Sequence, residues 1–435
     1  MKQYEAYKDS GVQRLGQIPN HWNIGKLKHV ATCNDEVLNE NTDPDSLINY
    51  VEISDVDSID GVKSSTQYTF KEAPSRARRI TRIGDVIIST VRTYLKAIAS
   101  ITENDLIVST GFAVIRPKSI NSTFLKYSLL NVNFIDEVIS KSVGVSYPAI
   151  TSTELMGIEV IIPPLIEQEV IAAYLDQKVG MIDAILSEKE EMVEQLQQYR
   201  KSLISETVTR GLNPNAPMKD SGIDWIGQIP EHWECAMLKY YLAQSLQYGA
   251  NESAESDNRD WPRYIRITDI DEIGKLKEET FKSLDPQKAK DYMLEKGDVL
   301  FARSGATVGK TYLFDEDYPA CFAGYLIRAR CGAKLLPQYL YLYTYTNEYD
   351  NWKNSIFIQA TIQNIGADKY STMPILVPTI EEQRSIIEYL EMKLNSIQSS
   401  ISELQSQIED LKAYKSSVIS EAVTGKIDLR DWKPS

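Results

Sequence analysis

The chain has 435 residues, more than one core usually fills, so two or three domains are expected. With 43% hydrophobic and 25% charged residues it is a folded globular protein, and no apolar run of about 18 residues is present to span a membrane. A formal net charge of −14 argues against a generic basic coat for nucleic acid, although residues 1–163 alone are nearly balanced, with 17 Lys and Arg against 19 Asp and Glu. The opening MKQYEAYKDS lacks the apolar centre of a secretion signal, so a cytoplasmic protein is expected. Cys33, Cys235, Cys321 and Cys331 show no paired spacing, and His21, His29 and His232 are the only histidines. Neither a disulfide framework nor a metal site is expected.

In chain order, the first feature is DSGVQRLGQIPNHWNIGKLK at 9–28, which returns as DSGIDWIGQIPEHWECAMLK at 220–239. NYVEISDV (49–56) is answered by RYIRITDI (263–270), and IGDVIISTVR (83–92) by KGDVLFARSG (296–305). VIIPPLIEQEVIAAYLD (160–176) is answered by ILVPTIEEQRSIIEYLE (375–391). The period is a whole domain. Four segments follow: a first globular domain at 1–163, a spacer helix and linker at 164–212, a second domain at 213–378, and a second spacer helix with tail at 379–435.

Within the domains, the β-branched runs Val86–Val91, Val114–Arg116, Asp298–Ala302 and Met373–Val377 are bounded by Gly, Pro and Asp and are predicted strands. PQYLYLYTYTNEYDNWK (337–353) is predicted to be helical, with its tyrosines as a packing face. The fold class is therefore α+β, with two similar domains. Pro163, Pro164 and Pro378 close the last strands.

A heptad seam comes next. Leu390, Leu394, Ile397, Ile401, Leu404, Ile408 and Leu411 are spaced alternately by four and three. The first half repeats the register in Leu175, Val179, Ile182, Leu186, Val193 and Leu196, with Lys189 breaking one step. Ile166 to Val208 would be a rod of roughly 65 Å. Such a stripe cannot stay bare, and two on one chain cover each other at high effective concentration, the second antiparallel to the first as a coiled coil. Dimerisation through the seam is the competing reading. TRGLNPNAP (209–217) stops the first helix and serves as a linker.

Signs of catalysis are missing. In ARSGATVGKT (302–311), Gly305 and Gly309 enclose three residues where a phosphate loop needs four. No Ser or Cys stands in a convincing nucleophile context with a histidine, and Asp85 and Asp298 sit in GDV segments that suit turns better than metal chemistry.

The paired QIPxHW entries, the paired GDV segments, IPPLIEQEVIAAYLD with VPTIEEQRSIIEYLE, and the endings LISETVTRGL and VISEAVTGKI together resemble the specificity subunits of type I restriction–modification systems over essentially the whole chain. That resemblance implies two target-recognition domains, each reading half of a split asymmetric site in double-stranded DNA. It implies antiparallel helices that space them and a chain that is not itself an enzyme. It also implies partners: two adenine methyltransferase (modification) subunits, and restriction/translocase subunits when cleavage occurs. No cofactor is expected. A coiled-coil adaptor that binds only protein is the alternative.

For DNA contacts, SRARRITR supplies Arg76, Arg78, Arg79 and Arg82, and VRTYLK presents Arg92, Tyr94 and Lys96 at alternating strand positions. In the second domain RSGATVGK offers Arg303, Ser304, Thr307 and Lys310, with glycines that would let backbone N–H groups approach phosphates. IFIQATIQNIG adds Gln359, Thr361, Gln363 and Asn364, whose amides suit adenine edges, and Asn251 is a weaker candidate. The acidic helices are expected to face protein, docking methyltransferase through their repeated EQ and SE segments.

Overall fold

The computed structural model describes residues 2–57, 61–271, 274–305, 307–357 and 364–434. Both copies of the repeated entry form the same hairpin: Gln17–Pro19 pairs antiparallel with Tyr7–Asp9, and Gln228–Pro230 with Met218–Asp220. Glycine is needed just before each strand, because Gly16 and Gly227 adopt φ of 60° and 69°. The tryptophans that follow, Trp22 and Trp233, are fully buried.

Each domain then closes on itself. Asn23–Lys26 pairs antiparallel with Glu159–Ile162, and Glu234–Met237 with Pro374–Val377, so the first and last parts of each domain lie side by side. Prolines end both closing strands, and the long helices begin at Leu165 and Ile380.

Between those strands the first domain holds a four-stranded antiparallel sheet in the order Ile98–Ser100, Val86–Ser89, Phe112–Pro117, Ala31–Cys33. A second sheet runs Thr66–Thr69, Leu47–Val51, Leu106–Ser109, Ala77–Ile80, its middle pair parallel. The second domain repeats the plan with Gln247–Tyr248, Leu326–Ala329, Val299–Ala302 and Thr311–Leu313, beside the parallel pair Arg263–Ile265 and Ala320–Phe322. Val86–Ser89 and Val299–Ala302 are buried throughout, as expected for central strands of unbroken β-branched and apolar residues.

The predicted helix over 337–353 is two helices, Pro337–Tyr343 and Asn347–Phe357. The break falls at Thr346, whose hydroxyl accepts from Tyr349 N at 3.2 Å and so caps a new helix. Tyr339, Tyr343 and Tyr349 are buried, so the tyrosines do form a packing face.

The long helices span Leu165–Arg210 and Ile380–Val423. Two compact units partition the chain as residues 1–190 with 406–435, and 191–405, so each unit takes one globular domain plus half of each helix. This division crosses the helices, whereas the sequence boundaries mark where strands give way to them. In the first unit Lys415 Nζ meets Asp183 Oδ1 at 2.6 Å, and Lys189, the residue that interrupts the heptads, donates to Gln407 Oε1 at 2.6 Å. Rising numbers on one helix face falling numbers on the other, so the pairing is antiparallel. Leu175, Val179, Ile182, Leu186 and Ile408 are buried here and Leu411 is half-buried. In the second unit Leu390, Ile397, Ile401 and Leu404 are buried, while Val193, Leu196 and Leu394 pack partly buried against the core.

Candidate nucleic-acid interface

The carboxylate at the start of each long helix explains the doubled HW. Glu167 accepts from Trp22 Nε1 at 2.9 Å and Tyr4 Oη at 3.0 Å and hydrogen-bonds His21 Nε2 at 2.6 Å. Burial and Glu167 together push the Tyr4 hydroxyl pKa up. Glu382 repeats the clasp with His232 at 2.8 Å and Trp233 at 3.4 Å. The adjacent amides are also used inside the protein. Gln168 donates to Pro163 O and accepts from Asn121 N, and Gln383 donates to Pro378 O and accepts from Leu336 N. The repeated EQ segments are therefore not an outer docking face as expected. They turn inward because the backbone groups left by the proline-ended strands need partners.

A second matched pair fixes the GDV strands. Arg116 Nη2 donates to Asp85 Oδ2 at 2.8 Å with Nε on Oδ1, and Arg330 does the same to Asp298 at 2.7 Å. Both aspartates are fully buried. They do hold turns, accepting from Arg82 N and Glu295 N, but their buried ion pairs went unseen in the sequence because Arg116 and Arg330 stand in unremarkable strands.

Most of the arginine run is consumed within the first domain. Arg79 donates to Asn34 Oδ1 at 2.6 Å and to Phe112 O, and burial lowers its pKa. Arg82 pairs with Glu36 and Asp105, both at 2.7 Å, and Arg76 with Glu52 at 2.9 Å. Hydrogen bonds from Arg82 and Arg116 hold the Glu36 carboxyl down at about 2. Arg78 lies 5.0 Å over the Phe70 ring. Of a run that reads as four surface cations, Arg76 and Arg82 are paired with carboxylates distant in sequence and Arg79 is held by neutral acceptors inside the domain.

VRTYLK is not a strand. Arg92 and Lys96 both take left-handed backbone conformations, φ 51° and 54°, around a tight 3-10 turn at Thr93–Leu95. The expected alternation is lost, yet Arg92, Tyr94 and Lys96 all end up exposed. A bridge between Val91 and Ala149 joins this turn to the loop after Lys141, where Tyr147 is 65% exposed and Arg92 lies 4.7 Å over its ring. Val143 and Val145 are also exposed in that loop. The sequence pointed to Arg92, Tyr94 and Lys96 but not to Tyr147, which is distant from any basic motif.

The second domain carries the same loop pair. Ser304 bridges Asn364 as Val91 bridges Ala149, and Ile365 N donates to Arg303 O at 2.8 Å as Ile150 N donates to Thr90 O at 2.9 Å. Arg303 lies over Tyr248. Part of the backbone phosphate cradle expected in RSGATVGK is already used within the turn. Val308 N, Gly309 N and Lys310 N donate to Gly305 O, Ala302 O and Thr307 O to close the turn. Thr307 and Lys310 instead line a cleft of about 430 Å³ with Arg200, Lys201 and Lys353. Lys310 Nζ donates to Ile270 O at 3.1 Å. Asn364 and Asn251 are exposed, and Gln359, Thr361 and Gln363 lie outside the described residues.

Each unit thus ends in a two-loop tip with an arginine over a tyrosine, which comes from the second loop in the first unit and from the strand Gln247–Tyr248 in the second, carried by a sheet with a buried Asp–Arg pair. A solved structure described as the basis of complex assembly and conformational transition of the type I R-M system has this fold, with a TM-score of 0.72 and 21% identity over 94% of this chain and 99% of that one. The chain belongs to the type I restriction modification DNA specificity domain family, whose model matches residues 19–195 and again 251–410. It is 22% identical to the type I restriction enzyme EcoBI specificity subunit of Escherichia coli over 72% of this chain and 67% of that one. It is likewise 22% identical to a putative type I restriction enzyme MjaX specificity subunit of Methanocaldococcus jannaschii over 98% and 99%. Among the described residues no helix is long and apolar enough to cross a membrane.

Proposed function

We propose that this chain is the DNA-recognition subunit of a type I restriction–modification complex in the cytoplasm, and that it performs no catalysis itself. Each domain reads one half of a split, asymmetric site in double-stranded DNA through its two-loop tip, and the paired helices act as the spacer. The observation that carries this reading is the doubling of the family match together with the doubling of the tip. The two tips differ in their side chains, Arg92, Tyr94 and Tyr147 against Arg303, Ser304 and Asn364, so the half-sites differ.

The chemistry is supplied by partners, two adenine methyltransferase subunits and, for cleavage, restriction/translocase subunits. A docking face is supported by exposed apolar residues on the first long helix away from the seam: Met181 and Ile185 in the first unit, Met192 and Tyr199 in the second. Their spacings of four and seven keep to a helical face.

Base-resolution adenine methylation in cells with and without this gene tests the reading. A gapped, asymmetric motif that vanishes with the gene is expected; an unchanged methylome, or loss of a continuous ungapped motif, would overturn it.

A further inference from the structure

In the second domain the Arg303 guanidinium lies over an aromatic ring. Arg303 Cζ lies 4.9 Å from the centroid of the Tyr248 ring, and its Nε is buried without a hydrogen-bond partner among the described residues. The backbone around it is pinned on both sides: Arg303 N donates to Tyr325 O at 3.0 Å and Arg303 O accepts from Ile365 N at 2.8 Å. The tyrosine is fixed in turn, because Ala367 N donates to its hydroxyl at 2.9 Å. The residue after Tyr248 has to be glycine for its backbone to pass Phe322, since a Cβ at Gly249 would lie 2.3 Å from Phe322 O.

The first domain has such a pair at a different position. Where Arg303 stands, it has Thr90, whose hydroxyl is satisfied by Gly111 O at 2.8 Å. Its own stacked arginine is Arg92, two residues further on, 4.7 Å over Tyr147.

We propose that Arg303, held over the Tyr248 ring, reads a guanine in the half-site of the second domain, and that Arg92 over Tyr147 does so for the first. This rests on the DNA-recognition reading above. Guanine presents two acceptors, N7 and O6, in the major groove, matching two N–H groups of one guanidinium, whereas adenine replaces one acceptor with a donor. Such a bidentate contact needs a positioned guanidinium, and for Arg303 the ring beneath it, tied through its hydroxyl to Ala367 N, supplies support; a phosphate contact tolerates rotation and needs none. Because the two arginines stand two positions apart in the matched loops, the two guanines fall at different places within their half-sites.

The test is capture of a randomised duplex pool on the full chain at low salt, with wild type, R303A, R303K and R92A. Wild type is expected to enrich a split motif with a guanine in each half. R303A should lose the guanine preference in one half by roughly tenfold and keep the other half intact, and R92A should do the reverse. R303K preserves charge and should not restore the preference, because an ammonium cannot make the paired contact. Replacing that guanine by 7-deazaguanine should weaken wild type several-fold and leave R303A unchanged. Equal weakening of every sequence by R303A, or an equal 7-deazaguanine effect on wild type and R303A, overturns the inference and makes Arg303 a phosphate contact. Enrichment of no sequence by wild type instead overturns the DNA-recognition reading itself.

Discussion

Trp22 Nε1 donates to Glu167 Oε2 at 2.9 Å across 145 residues, tying the segment just after the entry hairpin to the first turn of the long helix that leaves its domain. Trp233 and Glu382 repeat the relationship at 3.4 Å in the second half. The domain and its helix are joined at their roots by one carboxylate, and that carboxylate is the reason the HW dipeptide occurs twice.

Glu167→Ala should therefore strip an acceptor from Trp22, His21 and Tyr4 at once, at a cost of about 2 kcal/mol or more for hydrogen bonds to a buried charge. Glu382→Ala should cost less, because the Glu382 side chain is 38% exposed against 11% for Glu167. Urea unfolding of the two variants checks the order, and equal midpoints would sink it.

Asp85 and Asp298 are each buried beneath one arginine. Removing that arginine leaves an uncompensated carboxylate, so Arg116→Met and Arg330→Met should each destabilise by about 3 kcal/mol. Arg76→Met, which breaks the exposed pair with Glu52, should change stability by less than about 1 kcal/mol. Thermal unfolding of the three variants provides the comparison.

The helix ends predict a difference between matched glycines. Gly425 and Gly211 both have positive φ, 72° and 75°, so alanine strains the backbone at either. At Gly425 the added Cβ would also lie 2.5 Å from Pro19 and 2.8 Å from Trp22, while at Gly211 the nearest atom is Trp233 Cζ2 at 3.1 Å. Gly425→Ala should lower the melting temperature more than Gly211→Ala, and the reverse order would count against this packing.

Two arginines 13 residues apart should behave in opposite ways. Arg79, bonded to Asn34 and the Phe112 carbonyl, is a structural residue, and Arg79→Ala should destabilise the fold by about 2 kcal/mol. Arg92, exposed over Tyr147, should leave the melting temperature unchanged on replacement by Ala while weakening DNA binding. Paired melting curves and filter-binding isotherms separate the roles.

Glu36 supplies a pH signature. Hydrogen bonds from Arg82 and Arg116 hold its pKa at about 2 against an ordinary 4.5. A depressed carboxylate contributes stability that is fully present above its unfolded pKa and is lost as pH falls through the folded one. The stability gap between wild type and Glu36→Gln should accordingly be constant above about pH 5 and close between pH 4.5 and 2. A gap that persists unchanged to pH 2 would contradict the arginine pairing.

The parts of this protein governed by local pattern were legible in its sequence. The duplicated QIPxHW entry and the β-branched runs declare two α+β domains, and the four–three spacing from Leu390 to Leu411 declares a helix with one apolar stripe, because periodicity alone decides which face of an element must be covered. Which charged side chains remain available is a different kind of fact. Arg76, Arg78, Arg79 and Arg82 look alike in one run, yet Glu36 lies 46 residues from Arg82 and Asn34 lies 45 from Arg79. Likewise nothing near Arg303 announces Tyr248, and nothing near Glu167 announces Trp22. A charge is freed or satisfied by whatever partner the sheet brings within about 3 Å, and hydrogen bonds reach no further than that, so chain folding alone selects the partner.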